Sequence, residues 1–162
     1  LSNSELYAGK ICAALDRQHP RDLFDIKMLY DNGGVTEDIR KAFIVYLACS
    51  PRPMNELLNP NMIDIDRAYQ AEFSGMTTRN ISLQELLDVR KQLVSDIRNQ
   101  LTDAEKEFLL SIKSGTPKWQ LMPFQNLDRL PGLQWKLINI RKMNEDKKRV
   151  MFGQLAEVLN LP

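Results

Sequence analysis

The stretch "GKICAALDRQHPRDLFDI", residues 9–26, carries Lys10, Arg17, Arg21, Asp22 and Asp25, side chains of the kinds that hold phosphate and steer chemistry on it. A lysine ammonium meets a phosphate as a point charge, and an arginine meets it as a planar fork. A carboxylate beside them orients the reacting group or touches a metal ion. At about 100° per residue, Lys10, Ala13, Ala14 and Arg17 share a helix face flanking an apolar one, and the two alanines leave room between the cations. On the following helix Asp22 falls in line with Ile26 and Leu29 and points partly toward the core, while Asp25 sits at the edge of that stripe. An acid aimed at an apolar face is costly unless it meets a cation or a metal, and Lys10 and Arg17 lie across the hairpin. The residues alone leave two readings. Either the ion pairs pin the hairpin, with Asp22 favoured in a first helical turn by about 0.3–1 kcal/mol, or the cluster handles phosphate.

Other reactive side chains offer less. His19, the sole histidine, has no Cys or His at ligand spacing and reads as a helix connector rather than a zinc ligand. Neither a Ser-His-Asp nor a Cys-His centre can be built around it, and no glycine-rich phosphate loop is present. Asp64 and Asp66 imitate a metal-binding pair, but on a helix they point about 200° apart and read as helix-start acids. No metal ligands are assigned. Between residues 136 and 149 stand Lys136, Arg141, Lys142, Lys147, Lys148 and Arg149 against Glu145 and Asp146, with Trp135 alongside. This segment reads as a solvated face or a weak polyanion contact. Trp119 and Trp135 read as core residues, and Cys12 and Cys49 as buried small hydrophobes.

These side chains need helices to place them, and helical spacing runs through nearly the whole chain. Residues 4–17 put Tyr7, Ala8, Ile11 and Leu15 on one face. "HPRD" breaks that helix and opens another, with Pro20 suited to its first turn, and Asn32-Gly33-Gly34 ends it. Thr36 caps a third, strongly apolar helix. Residues 50–62 hold three prolines and read as a connector with at most a short helix; a helix from about Asp64 to Phe73 follows. Ser82 with Glu85, and Thr102 with Glu105, form capping boxes for the next two helices. Residues 116–130 read as a loop, followed by helices near 131–143 and 145–159. The expected fold is all-α, a bundle of about six to eight helices. Its parts are 1–49 with the reactive hairpin, 50–81 with a connector and helix, and 82–162 as a helical C-terminal part of the same domain.

Composition narrows the function classes. Hydrophobic residues are 43% of 162, enough for a core without disulfide or metal staples. A net charge of +1 means that any nucleic-acid contact must come from a local patch. No apolar run reaches the ~18 residues of a membrane span, and no signal-peptide pattern is present. Two cysteines without a dense framework suit a reducing compartment. A cytoplasmic protein with no membrane partner is expected, and a start on Leu rather than Met leads us to expect an upstream region.

The hairpin "LYAGKICAALDRQHPRDLFDI" resembles the third and fourth motifs of the AbiEii/AbiGii-type nucleotidyltransferase toxins, a polymerase-beta-like family of bacterial toxin–antitoxin and abortive-infection systems. In that family a lysine-bearing helix is followed, after an Arg, by Arg-Asp-x-x-Asp, and Lys10, Arg17, Arg21, Asp22 and Asp25 fill these positions. "EFSGMT", "LTDAEKEFLLSIKSGTPKW" and "LPGLQWKLINI" also resemble the family's C-terminal half. The resemblance implies that Lys10, with Arg17 and Arg21, contacts nucleotide phosphates and that Asp22 or Asp25 supports catalysis; each is an Asp followed by an aliphatic residue. It further implies a parent enzyme using Mg2+ and a nucleoside triphosphate, an acceptor such as tRNA or another RNA, or a protein, and a cognate antitoxin. The family's Gly-Ser turn and metal-binding aspartates precede the lysine helix, in a mixed α/β core, and nothing before Lys10 matches them. The chain is therefore expected to be the C-terminal helical half, inactive without the N-terminal nucleotidyltransferase region. The alternative is a non-catalytic helical interaction module.

Overall fold

Ser2 starts the first helix, α1 (Asn3–Arg17), by a capping box in which its hydroxyl accepts from the Glu5 N–H and its own N–H donates to the Glu5 carboxylate. A computed structural model describes residues 2–73 and 80–160, and every regular element among them is helical. The all-α expectation holds. Helix α1 stops at Gln18, whose backbone turns left-handed (φ 54°) while its N–H still reaches the Ala14 carbonyl. One residue later His19 caps α2 (Pro20–Asp31) through Nδ1, which accepts from the Arg21 N–H, and Pro20 supplies a first-turn φ. The chain thus reverses within two residues. Gly33 and Gly34, both at positive φ, turn it again into α3 (Glu37–Cys49), capped by Thr36.

Helix α3 packs along α1 more extensively than any other pair of elements. Ile11, Leu23, Ile26, Phe43, Ile44 and Leu47 are fully buried where the first three helices meet. The connector holds one short helix, α4 (Met54–Leu58), as its prolines suggest. The expected helix at 64–73 is shorter and irregular. The Asp64 carboxylate accepts from the Asp66 N–H and stays outside α5 (Asp66–Ala68), which widens into a π-turn over Tyr69–Phe73. The Tyr69 hydroxyl donates to the Ile81 carbonyl, and Phe73 stacks at a tilt against Phe24 and Tyr69. Of "EFSGMT", only Glu72 and Phe73 lie within the described residues.

Capping boxes at Ser82–Glu85 and Thr102–Glu105 begin α6 (Leu83–Gln100) and α7 (Asp103–Lys113), as read. The 116–130 stretch contains short 3-10 turns at Trp119–Leu121 and Leu127–Arg129. Then come α8 (Pro131–Lys142) and α9 (Glu145–Val158). Seven helices (α1–α3 and α6–α9) have eleven residues or more. One cluster of buried side chains runs from Ala8 to Leu159. No helix among the described residues is long and apolar enough to cross a membrane.

Helix α8 departs from expectation. Its apolar residues lie on both sides: Leu133, Leu137 and Ile140 are buried, whereas Trp135 is 54% exposed and Ile138 faces solvent beside it. Gly132 accounts for the chosen side, because a Cβ there would stand 2.9 Å from that of Cys49. This close approach presses the start of α8 onto the end of α3 and carries Lys136 into the interior. Trp119, by contrast, packs half-buried against Phe108. Cys12 and Cys49 are half-buried free thiols at the core margin rather than fully buried.

Candidate functional site

The reversal at Gln18 and His19 brings the polar edges of α1 and α2 together. Lys10 Nζ lies 2.9 Å from Asp25 Oδ2, and Arg17 Nη2 lies 2.7 Å from Asp22 Oδ1. Of the two cations expected to meet Asp22 across the hairpin, Arg17 does so, and Lys10 pairs with Asp25 instead. They border a shallow cleft of about 330 Å3, floored by Gly9 and Ala13 and walled by Glu5, Leu6 and Tyr46. Arg21 does not line this cleft, since one residue before Asp22 it projects from the exposed side of α2.

The two pairs differ. The Lys10 and Asp25 side chains are each about one-third exposed, so their pairing contributes roughly 0–1 kcal/mol. The Asp22 side chain is 11% exposed, and its cation Arg17 is 65% exposed. Asp22 Oδ2 is buried with no hydrogen-bond partner among the described residues, an acceptor left unused in a largely desolvated carboxylate. Two cations beside small residues suit a phosphate group. A divalent ion is a different matter. Mg2+ binds through one or two carboxylates plus phosphate oxygens, but each carboxylate here already faces a cation. Among the described residues no group of three or more His, Cys, Asp or Glu is placed to hold a metal. The residues fit a phosphate and do not by themselves fit a metal.

Elsewhere the candidates are absorbed by structure. With Nδ1 accepting from Arg21, His19 carries its proton on Nε2 and donates to Glu72 at 2.6 Å. Asp64 caps the turn at Asp66. The basic segment is not one continuous face. Lys136 is buried, Arg141 donates to the Gly115 carbonyl, and Lys148 and Arg149 pair with Glu145 and Asp146.

Three features were missed in the sequence. Tyr46 reaches the cleft from α3, about twenty residues beyond the hairpin, and local spacing cannot reveal it. Gly9 left a faint signal, as a mid-helix glycine with no turn to make. Gln18 is a buried hub: its Nε2 donates to the Asn61 carbonyl, and its Oε1 accepts from the Ile63 N–H and Arg90 Nη1. Arg90 also donates to the Ile63 carbonyl, so the connector is tied to the bend between α1 and α2.

A family model described as "Nucleotidyl transferase AbiEii toxin, Type IV TA system" matches residues 1–138, a span containing the whole hairpin and the walls of its cleft. No curated protein and no solved structure matches the chain.

Proposed function

Because this chain belongs to the AbiEii nucleotidyl transferase toxin family, we propose that residues 1–162 are the helical half of such an enzyme and hold the triphosphate of a nucleoside triphosphate against α1 and α2. One observation carries this reading: Lys10 and Arg17 face a single cleft across from Asp25 and from Asp22, whose second oxygen is unused. Lys10 and Arg17 bind phosphate oxygens, and Arg21, outside the cleft, adds long-range positive charge. Asp22 is the carboxylate fixed for a role in catalysis. Asp25 holds Lys10 in position.

Mg2+ bound with the nucleotide would neutralise charge developing on the transferred phosphate, and carboxylates other than Asp22 and Asp25 would hold it. The family's Asp-x-Asp motif would provide them, beside its Gly-Ser turn, so on this reading the 162 residues alone transfer nothing. The acceptor is an RNA, such as tRNA. The type IV toxin–antitoxin family implies an antitoxin partner, and the setting is the cytoplasm.

The deciding experiment replaces Lys10 with alanine in the complete gene product and follows transfer of α-labelled nucleotide to total RNA. Transfer should fall by about 100-fold or more, as when one preorganised charge-stabilising donor is removed, with helical circular dichroism unchanged. Undiminished transfer would refute the assignment. The exposed Trp135 and Ile138 on α8 favour a second reading, a non-catalytic interaction module. It predicts no nucleotide dependence and no effect of Lys10→Ala.

A further inference from the structure

The cleft at Lys10 does not end at Tyr46. Glu5 and Tyr46 also border a groove of about 930 Å3, running between the start of α1, the exposed side of α3 and the 123–130 stretch, with Val45 and Phe124 among its walls. Resting on the nucleotide reading above, we infer that the nucleoside end of the ligand points along α1 toward its N-terminus, with the base against the Tyr46 ring and in this groove.

Charge sets the direction. Lys10 and Arg17 at one end are balanced by Asp25 and Asp22, whereas Glu5 and Asp38 border the other, where the groove's lysine, Lys41, is paired with Glu37 at 2.6 Å. A phosphate can take the place of a carboxylate on either cation at the first end and is repelled from the second. An uncharged aromatic ring with N–H donors fits the second, where apolar walls meet acceptor carboxylates. Five residues of α1, about 7.5 Å, separate Lys10 from Glu5, so a ligand reaching both needs a spacer between its anionic and aromatic ends. A ribose is such a spacer.

Gly9 lies between those ends. Its backbone is ordinary helix, where glycine is destabilising relative to alanine, so local conformation does not require it. A Cβ there would stand 3.9 Å from the edge of the Tyr46 ring, in ordinary contact; any longer side chain would occupy the space beside the ring. The missing side chain keeps that space open. The Tyr46 hydroxyl has no hydrogen-bond partner among the described residues, leaving the ring and its polar tip available.

The test is calorimetric titration of the purified chain with inorganic tripolyphosphate and, separately, with ATP, CTP, GTP and UTP. At least one nucleotide should bind about 10-fold or more tightly than tripolyphosphate, the scale of one base–aromatic stack. Tyr46→Leu and Gly9→Leu should each bring that nucleotide down to the tripolyphosphate level while leaving tripolyphosphate affinity unchanged. Lys10→Ala should weaken all five ligands. Circular dichroism of each variant checks the fold. If no nucleotide exceeds tripolyphosphate, or Tyr46→Leu leaves the advantage intact, the nucleoside subsite is wrong and the phosphate reading survives. If nothing binds, or Lys10→Ala changes nothing, both are wrong.

Discussion

Lys136 is a side chain placed at a cost. It is 7% exposed, and Nζ has no hydrogen-bond partner among the described residues. Burial pushes its pKa from 10.5 down to about 8; Lys113 adds to the shift, while Cys49 and Cys12 oppose it. The unfolded chain therefore binds this proton more readily than the folded one. The resulting penalty is absent above pH 10.5, grows as pH falls toward 8, and is complete below, at about 3 kcal/mol. Lys136→Met should raise stability at pH 7 by about 1–4 kcal/mol, with the gain shrinking between pH 8 and 10.5. Urea unfolding of both proteins across that range checks it, and a gain independent of pH would rule out burial of the charge as its cause. The sequence places this lysine among surface cations because lysine seldom goes inside; only the contact between Gly132 and Cys49 reveals the register that buries it. Lys10, Arg17, Asp22 and Asp25 were legible because sixteen consecutive residues and one tight reversal decide their meeting.

Helix ends were readable for the same reason. A capping box is a conversation between residues three apart, so Ser82 and Thr102 announced α6 and α7 without tertiary help. Glu105 shows where such reading stops. It completes the Thr102 box and also receives Arg40 Nε at 2.9 and 3.0 Å, with both side chains largely buried, across a separation of 65 residues. Ser82→Ala should cost about 1 kcal/mol in thermal or urea unfolding, the usual loss of an N-cap. Arg40→Met should cost about 3–5 kcal/mol, because it strands a buried carboxylate. Equal losses would mean that the Arg40 pair is no more than a surface contact. The π-turn at Tyr69–Phe73 was not legible either: it is shaped by Phe24 and the Ile81 carbonyl, neither of them local.

For the whole molecule, 3.6-residue periodicity identified the helices because each buries one apolar stripe in a common core. It could not show how the connector between α4 and α5 is held down, since polar residues far apart in sequence do that. Gln18→Ala should free that segment. Hydrogen exchange at the Ile63 amide should quicken, and global stability should fall by about 1–3 kcal/mol as Arg90 and the Ile63 N–H lose a buried partner. Unchanged exchange would show that Arg90 alone suffices. The hairpin's matched charges have a further consequence for the resting protein. With Lys10 and Arg17 already neutralised by their own aspartates, an incoming anion must outcompete a carboxylate for each cation. Chloride or acetate carries no more charge than the group it would replace, whereas a polyphosphate brings several charges to both cations at once. On the proposed nucleotide reading the hairpin is a valence filter, closed to small monovalent anions and open to polyphosphates.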